Sequence, residues 1–154
     1  MNDEHEILAE YYIYSKSKAK HKIGYEFSTK YSKISAHMLF LKGICEYLGR
    51  GTKQDYMKAS KTLHKATSLG SIYAPAVLGY MCDNGIGLEN DTSKAYAFYT
   101  LGAERGDFEA MYNLAEMYRE GLVIRKNIKL CNHWIKRANM IVSNLYGRLA
   151  NRIE

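Results

Sequence analysis

The sequence predicts an all-α solenoid, a stack of helix pairs built from about three copies of one unit. Three observations carry this. Sliding the chain by 36 residues brings Gly70 onto Gly106, Ala74 onto Ala110, Leu78 onto Leu114, Met81 onto Met117 and Gly85 onto Gly121. The opposite slide brings Gly43 onto Gly79, Gly49 onto Gly85, Gly51 onto Gly87, Asp55 onto Asp91 and Lys58-Ala59 onto Lys94-Ala95. Within the unit, Ala74, Leu78 and Met81 or Cys82 return at helical spacing and form one apolar stripe. Finally, one proline and 12 glycines suit helices joined by tight turns.

Taken in order, residues 4–15 read as a helix with Ile7, Leu8 and Tyr11 on its apolar side, and residues 19–33 as a second through Ile23, Phe27 and Tyr31. This pair, residues 1–33, is expected to cap the stack, since terminal units of a solenoid need a face that tolerates water. The repeats are expected at 34–69, 70–105 and 106–141, with helices at 35–48 and 55–68, 72–83 and 92–104, and 108–120 and 127–140. In the central unit Gly85 stops the first helix and Asp91 caps the second. Pro75 falls in a first turn, where its missing N–H is tolerated. Gly79 sits inside a helix, where it costs about 1 kcal/mol against alanine; the return is close approach by a second helix, which Ala115 would also allow. Residues 142–154 are expected to be a separate capping helix (142–153), with Leu145, Leu149 and Ile153 inward and Asn144, Arg148 and Arg152 outward.

The pattern small-x3-Leu-Gly-x2-Tyr-x2-Gly-x-Gly, followed by Asp-x2-Lys-Ala-x2-aromatic-Tyr-x2-small-Ala-x2-Gly, resembles the Sel1-like repeat, a relative of the tetratricopeptide repeat. The central copy carries it through Leu78, Gly79, Gly85, Gly87, Asp91, Lys94, Ala95, Tyr99, Ala103 and Gly106, with Cys82 in place of the tyrosine. The third copy keeps Leu114, Tyr118, Gly121 and an aromatic Trp134, but has Asn127 for Asp and Leu130-Cys131 for Lys-Ala. The first keeps its loop and second helix (Gly49, Gly51, Asp55, Lys58, Ala59, Ala66, Gly70) and has Lys42 where leucine is expected. The resemblance spans residues 34–141 and implies a right-handed solenoid that works as a scaffold or adaptor and not as an enzyme. Some secreted relatives staple each repeat with a disulfide; the spacing of Cys45, Cys82 and Cys131 does not match that framework.

At 154 residues, 47% hydrophobic and 25% charged, the chain is one globular domain. No apolar run is long enough to span a membrane, and the acidic start MNDEHEILAE is unlike a secretory signal. The expectation is a reduced, cytoplasmic protein, a monomer or weak dimer, with an effector exported without a cleaved signal as the rival. The net charge of +6 is uneven. Residues 15–33 hold six lysines and one acid, residues 121–154 seven bases and one acid, and residues 34–120 are near neutral. Nucleic acid bound at the basic ends, Lys16–Lys33 and Arg125–Arg137 with Trp134, is therefore the lesser alternative, because such binders usually run charge along one continuous face.

The five histidines form no i, i+4 pair, so neither a metal nor a cofactor is expected. Cys131 and His133 are near neighbours on a helix and point apart. Gly49-Arg50-Gly51 and Gly85-Ile86-Gly87 lack the preceding strand and following Lys-Ser/Thr of a phosphate loop. What remains is surface. In stacked helix pairs the first helices line the concave face. The positions left over from the core stripe are His37, Phe40, Leu41, Ile44 and Leu48; Tyr73, Ala76, Val77, Tyr80 and Asn84; and Glu109, Tyr112, Asn113, Glu116 and Glu120. The groove so read is apolar at one end, tyrosine-rich in the middle and acidic at the other. The partner-binding candidates are Tyr73, Val77, Tyr80, Asn84, Glu109, Tyr112, Asn113, Glu116 and Glu120, and the expected partner is another protein with a basic surface.

Overall fold

The computed structural model describes residues 3–150, and within them the fold is all-α. Eight helices follow in order: α1 (Asp3–Tyr14), α2 (Lys18–Tyr31), α3 (Ala36–Leu48), α4 (Tyr56–Ser68), α5 (Ala74–Asn84), α6 (Thr92–Arg105), α7 (Phe108–Glu120) and α8 (Ile128–Ala150). Each helix packs on its neighbours in the chain, and α1 also touches α3 as α5 touches α7. The result is a solenoid of helix pairs, each odd-numbered helix leading its pair.

The repeat's polar residues set the helix ends. Ser35, Asp55, Asp91 and Asp107 each accept a backbone N–H from the first turn that follows, satisfying donors a helix start leaves free. Gly49, Gly85 and Gly121 close α3, α5 and α7 in the left-handed conformation. The second loop glycine has a different task. A Cβ on Gly87 would fall 2.5 Å from Tyr56 Cβ, so this glycine lets the loop press against the start of α4 in the preceding pair. Gly79 is the anticipated close approach, because a Cβ there would lie 2.6 Å from the ring of Tyr99.

Two clusters of buried side chains fill the stack. The first joins Ala9, Ile13, Met38, Leu41, Cys45, Leu63, Leu78 and Met81, and the second joins Cys82, Tyr99, Ala103, Met111, Leu114, Met117 and Ala138. Cys45, Cys82 and Cys131 are free and buried within this packing, and burial pushes the Cys45 thiol up to about 12.

Three expectations need correction. Helix α1 buries Ala9 and Ile13, not Ile7, Leu8 and Tyr11, which are exposed. Gly24 of α2 explains this: a Cβ there would meet Ile13 at 2.7 Å, so α1 is drawn in on its Ile13 side. Ile23 is likewise exposed, and α2 buries Gly24 and Ser28 while Phe27 and Tyr31 pack partly against the core. Helix α8 runs unbroken from Ile128 to Ala150, so no separate helix begins at residue 142. The chain from Arg137 to Leu145 has no glycine or proline to stop it. Leu145 of this segment, expected inward, is exposed; the expected roles of Arg148, Leu149, Arg152 and Ile153 lie outside the described residues.

Candidate functional site

The side of the stack formed by the odd-numbered helices carries the candidate surface. Helix α5 buries Ala74, Pro75, Ala76, Leu78, Gly79, Met81 and Cys82. That leaves Val77, Tyr80, Asp83 and Asn84; of these, Val77, Tyr80 and Asn84 continue from the N-cap residue Tyr73 as an outward stripe at the 4-3-4 spacing of one helical face. Tyr73 and Tyr80 stay 42% and 47% exposed, large amphipathic rings on a helix otherwise packed away. Val77 is half-buried against the first core cluster. Ala76, placed in the groove from sequence, is buried.

On α7, Glu109, Tyr112, Glu116 and Glu120 are exposed and Asn113 is half-buried. The hydroxyl of Tyr112 donates to Asn139 Oδ1 at 2.6 Å, which ties it to α8. Glu116 and Glu120 both pair with Arg119, Glu120 at 3.5 Å. The acidic row is thus divided: Glu116 and Glu120 share a cation of their own helix, and Glu109 does not. On α3 the structure departs from the sequence reading. Leu48 is exposed and His37 half-buried, but Phe40, Leu41 and Ile44 belong to the core. They are covered because α1 packs against α3 and adds Ala9 and Ile13 to the same cluster, so the apolar end of the groove is filled.

At the N-terminal ends of these helices lies an open cleft. One part, of about 480 Å³, runs between Glu6, Ile7 and Glu10 of α1 and Ser35, Ala36, His37, Ser71, Ile72 and Tyr73. A second part, of about 220 Å³, is lined by Glu10, Tyr14, His37, Phe40, Tyr73, Val77, Asp107, Phe108 and Glu109. The two share Glu10, His37 and Tyr73. His37, Tyr73 and Glu109 are the same position in three successive copies, 36 residues apart. His37 Nε2 meets Glu10 Oε1 at 2.7 Å, and Ser35 Oγ donates to Glu6 Oε1 at 2.6 Å. The rings of His37, Phe40 and Tyr73 lie 5.6–5.8 Å apart, the range of mutually attractive aromatic pairs.

The electrostatics of the cleft are shared. Burial and the carboxylates of Glu10 and Asp107 raise the Tyr73 phenol. Burial, Glu10 and Glu109 act the same way on Tyr14, opposed by Arg50. Asp107 is 2% exposed, and burial pushes its carboxyl up to about 6, a shift its backbone hydrogen bonds at the start of α7 moderate.

Glu6, Glu10, Tyr14 and Asp107 were not among the sequence candidates. The α1–α2 loop is only residues 15–17, where the α3–α4 loop is 49–55, so the 36-residue register does not reach α1. A detectable signal was the stripe Glu6, Glu10, Tyr14 at successive i, i+4 spacing. Trp134, offered for the nucleic-acid alternative, is half-buried against the second core cluster, with Arg137 over its ring at 4.9 Å. Among the described residues no group of three His, Cys, Asp or Glu is placed to hold a metal ion, and no helix is long and apolar enough to cross a membrane.

Stacked helix pairs with capped 36-residue units and a side-chain-lined face define a helical-repeat scaffold. The Sel1 repeat family model matches residues 33–71, 74–107 and 108–140, and the chain belongs to that family. It is 34% identical over 77 residues to protein sel-1 homolog 2 of Mus musculus, a match covering 49% of this chain and 11% of that protein. It is also 34% identical over 89 residues to chitin synthase regulatory factor 3 of Schizosaccharomyces pombe, covering 57% and 10%. The chain thus spans about a tenth of the length of these relatives. The crystal structure of a Sel1 repeat protein from Oxalobacter formigenes superposes with a TM-score of 0.75 at 19% identity, over 88% of this chain and 56% of that one. The protective antigen c5321 of uropathogenic Escherichia coli, which displays an SLR fold, superposes with a TM-score of 0.69 at 16% identity, over 88% and 30%. Sel1 repeat proteins are in general protein–protein interaction modules, typically without enzymatic activity.

Proposed function

We propose that this protein is a non-enzymatic binding module that receives a partner protein, one with a basic surface, on the concave face formed by its odd-numbered helices. The observation that carries the reading is the α5 stripe: Tyr73, Val77, Tyr80 and Asn84 face outward on a helix whose other side is packed away. Exposed tyrosines anchor interfaces well because they add large rigid area and a polar tip at low entropic cost. Asn113, Tyr112 and the carboxylates of α7 extend the surface. The binding surface works by occupancy, which suits an adaptor, an inhibitor or a toxin-immunity protein. The regulatory role in the name of the fission-yeast relative supports a reading of this kind.

The test is affinity capture of the tagged protein from its native cells, read by mass spectrometry beside the Tyr80→Ala/Glu116→Lys variant. One stoichiometric protein partner that the variant loses is the expected result. Capture of nucleic acid alone, released by salt, would overturn it.

A further inference from the structure

We propose that a second copy of this chain docks on the first head to tail, its α1 lying in the groove that runs along α8. This contact uses the two ends of the stack and stands apart from the concave face.

The groove is a repeat position left open. Leu63, Thr67 and Ser71 in the first copy are buried, as are Tyr99, Ala103 and Asp107 in the second. There the chain turns at Gly70 or Gly106, both with positive φ, and the next leading helix packs back on the one just finished, α5 on α4 and α7 on α6. The same positions in the third copy, 36 residues on, are Ile135, Asn139 and Ser143. Val142 stands where the earlier copies have glycine, and α8 runs unbroken through it. Ile135 is therefore only half-buried, and Asn139 and Ser143 are exposed. With Lys136 and Met140 they line a groove of about 440 Å³ between Asn132 and Asn144. In both earlier copies the element that fills this place is a leading helix.

Helix α1 is a leading helix with an uncovered apolar side. Ala9 and Ile13 face the core, while Ile7 and Tyr11, on the opposite side, are 62% and 57% exposed. Laid in the α8 groove, α1 of a second copy would continue the alternation of leading and following helices. The lengths agree. The 12 residues of α1 rise about 18 Å, and Asn132 to Asn144 covers about the same distance.

Charge selects α1 as the occupant. It holds Asp3, Glu4, Glu6 and Glu10 and no lysine or arginine. Helix α8 holds Lys129, Lys136, Arg137 and Arg148 and no acid. None of the other leading helices is as acidic. The lysines of α2 are turned partly to other tasks: Lys18 and Lys22 border the loop at residues 48–52, and Lys20 donates to the Tyr11 hydroxyl. Opposite fields of this kind steer the two ends together and disfavour pairing of like ends.

The experiment is sedimentation velocity of the full-length protein from about 10 µM to about 1 mM, the range suited to a small interface. A head-to-tail contact leaves a free head and a free tail on each assembly, so the average mass should rise past that of a dimer. Added salt should lower it. Ile7→Ser/Tyr11→Ser removes the apolar side of the head, and Met140→Glu places a carboxylate in the tail groove. Each variant alone should stay monomeric. Mixed, they retain one intact head and one intact tail between them and should form a dimer and nothing larger. Lys136→Glu, an exposed site, should weaken association about tenfold, and it keeps the test decisive if Met140→Glu disturbs the helix. Melting curves report that each fold is kept. A wild type that is monomeric throughout would overturn the proposal. So would association that stops at a dimer and survives Ile7→Ser/Tyr11→Ser, which would mean two α8 faces pairing symmetrically. A monomeric wild type that captures a different protein, lost in Met140→Glu, would assign the groove to that protein and overturn self-stacking. None of these results bears on capture through Tyr80 and Glu116, which tests the concave face separately.

Discussion

Lys58 Nζ lies 3.2 Å from Oε1 of Glu46, a carboxylate with no exposed side-chain surface. Thr62 Oγ1 donates to the other oxygen at 2.6 Å, while Oε1 faces the ammonium without hydrogen-bond alignment. Glu46 occupies the position of Cys82 and Tyr118 in the later copies, and Lys58 that of Lys94. The first repeat has thus placed a charge where the others place a less polar group. Half-exposed Lys58 keeps that charge tolerable, and Tyr25 accepts a hydrogen bond from it at 3.2 Å. Lys58→Met should cost about 1–3 kcal/mol by leaving a buried carboxylate alone. Adding Glu46→Cys, the residue of the second copy, should recover most of the loss. Urea denaturation of the three proteins checks both.

Gly79 and Tyr99 set the spacing of α5 against α6. Alanine at position 79 would gain about 1 kcal/mol of helix propensity. Its Cβ would also stand 2.6 Å from the Tyr99 ring, closer than any real contact. Overpacking of this kind costs about 1–3 kcal/mol and prevails. Gly79→Ala should lower the melting temperature by roughly 5 °C. In a Tyr99→Leu background the same change should cost clearly less, because the two residues share one contact.

Asp107 gives stability a sign with pH. Its folded carboxyl titrates at about 6, above its ordinary 3.8. A raised acid holds its proton more tightly in the folded state. Its contribution is therefore fully present below the unfolded pKa and is lost as pH rises through about 6. Glu10, Tyr14, His37, Tyr73 and Glu109 line the cleft with it. Asp107→Asn keeps a capping oxygen and removes the buried charge. The variant should be more stable than wild type at pH 7 by roughly 1–2 kcal/mol, with the advantage shrinking toward pH 4. Denaturation midpoints across that range test it.

The repeats were legible because each depends on short-range chemistry that recurs: a left-handed glycine, an aspartate cap, a small residue under a ring. The α5 stripe followed by subtraction, since a helix packed on both sides leaves one narrow face. Phe40, Leu41 and Ile44 were misplaced because the same subtraction ignores what lies before the repeat, and α1 covers them. Glu10 and Tyr14 were missed for the same reason: the three-residue loop at 15–17 puts α1 out of register with the copies. Gly79 was read correctly because a glycine inside a helix has few explanations other than close approach.

Ile44 and Tyr80 occupy one repeat position, 36 residues apart, and the structure assigns them opposite surroundings. Ile44 is buried in the first core cluster and Tyr80 is exposed. Truncating a buried isoleucine removes its transfer free energy and leaves a cavity, so Ile44→Ala should cost about 2–4 kcal/mol. Tyr80→Ala should cost under about 1 kcal/mol. Glu116→Lys, which disturbs only a surface pair with Arg119, should cost a similar or smaller amount. Melting curves of the three proteins separate core from surface at one position without reference to any partner. A Tyr80→Ala protein destabilised as much as Ile44→Ala would show that the α5 stripe holds the fold together, and loss of a partner in that variant could not then be read as loss of an interface.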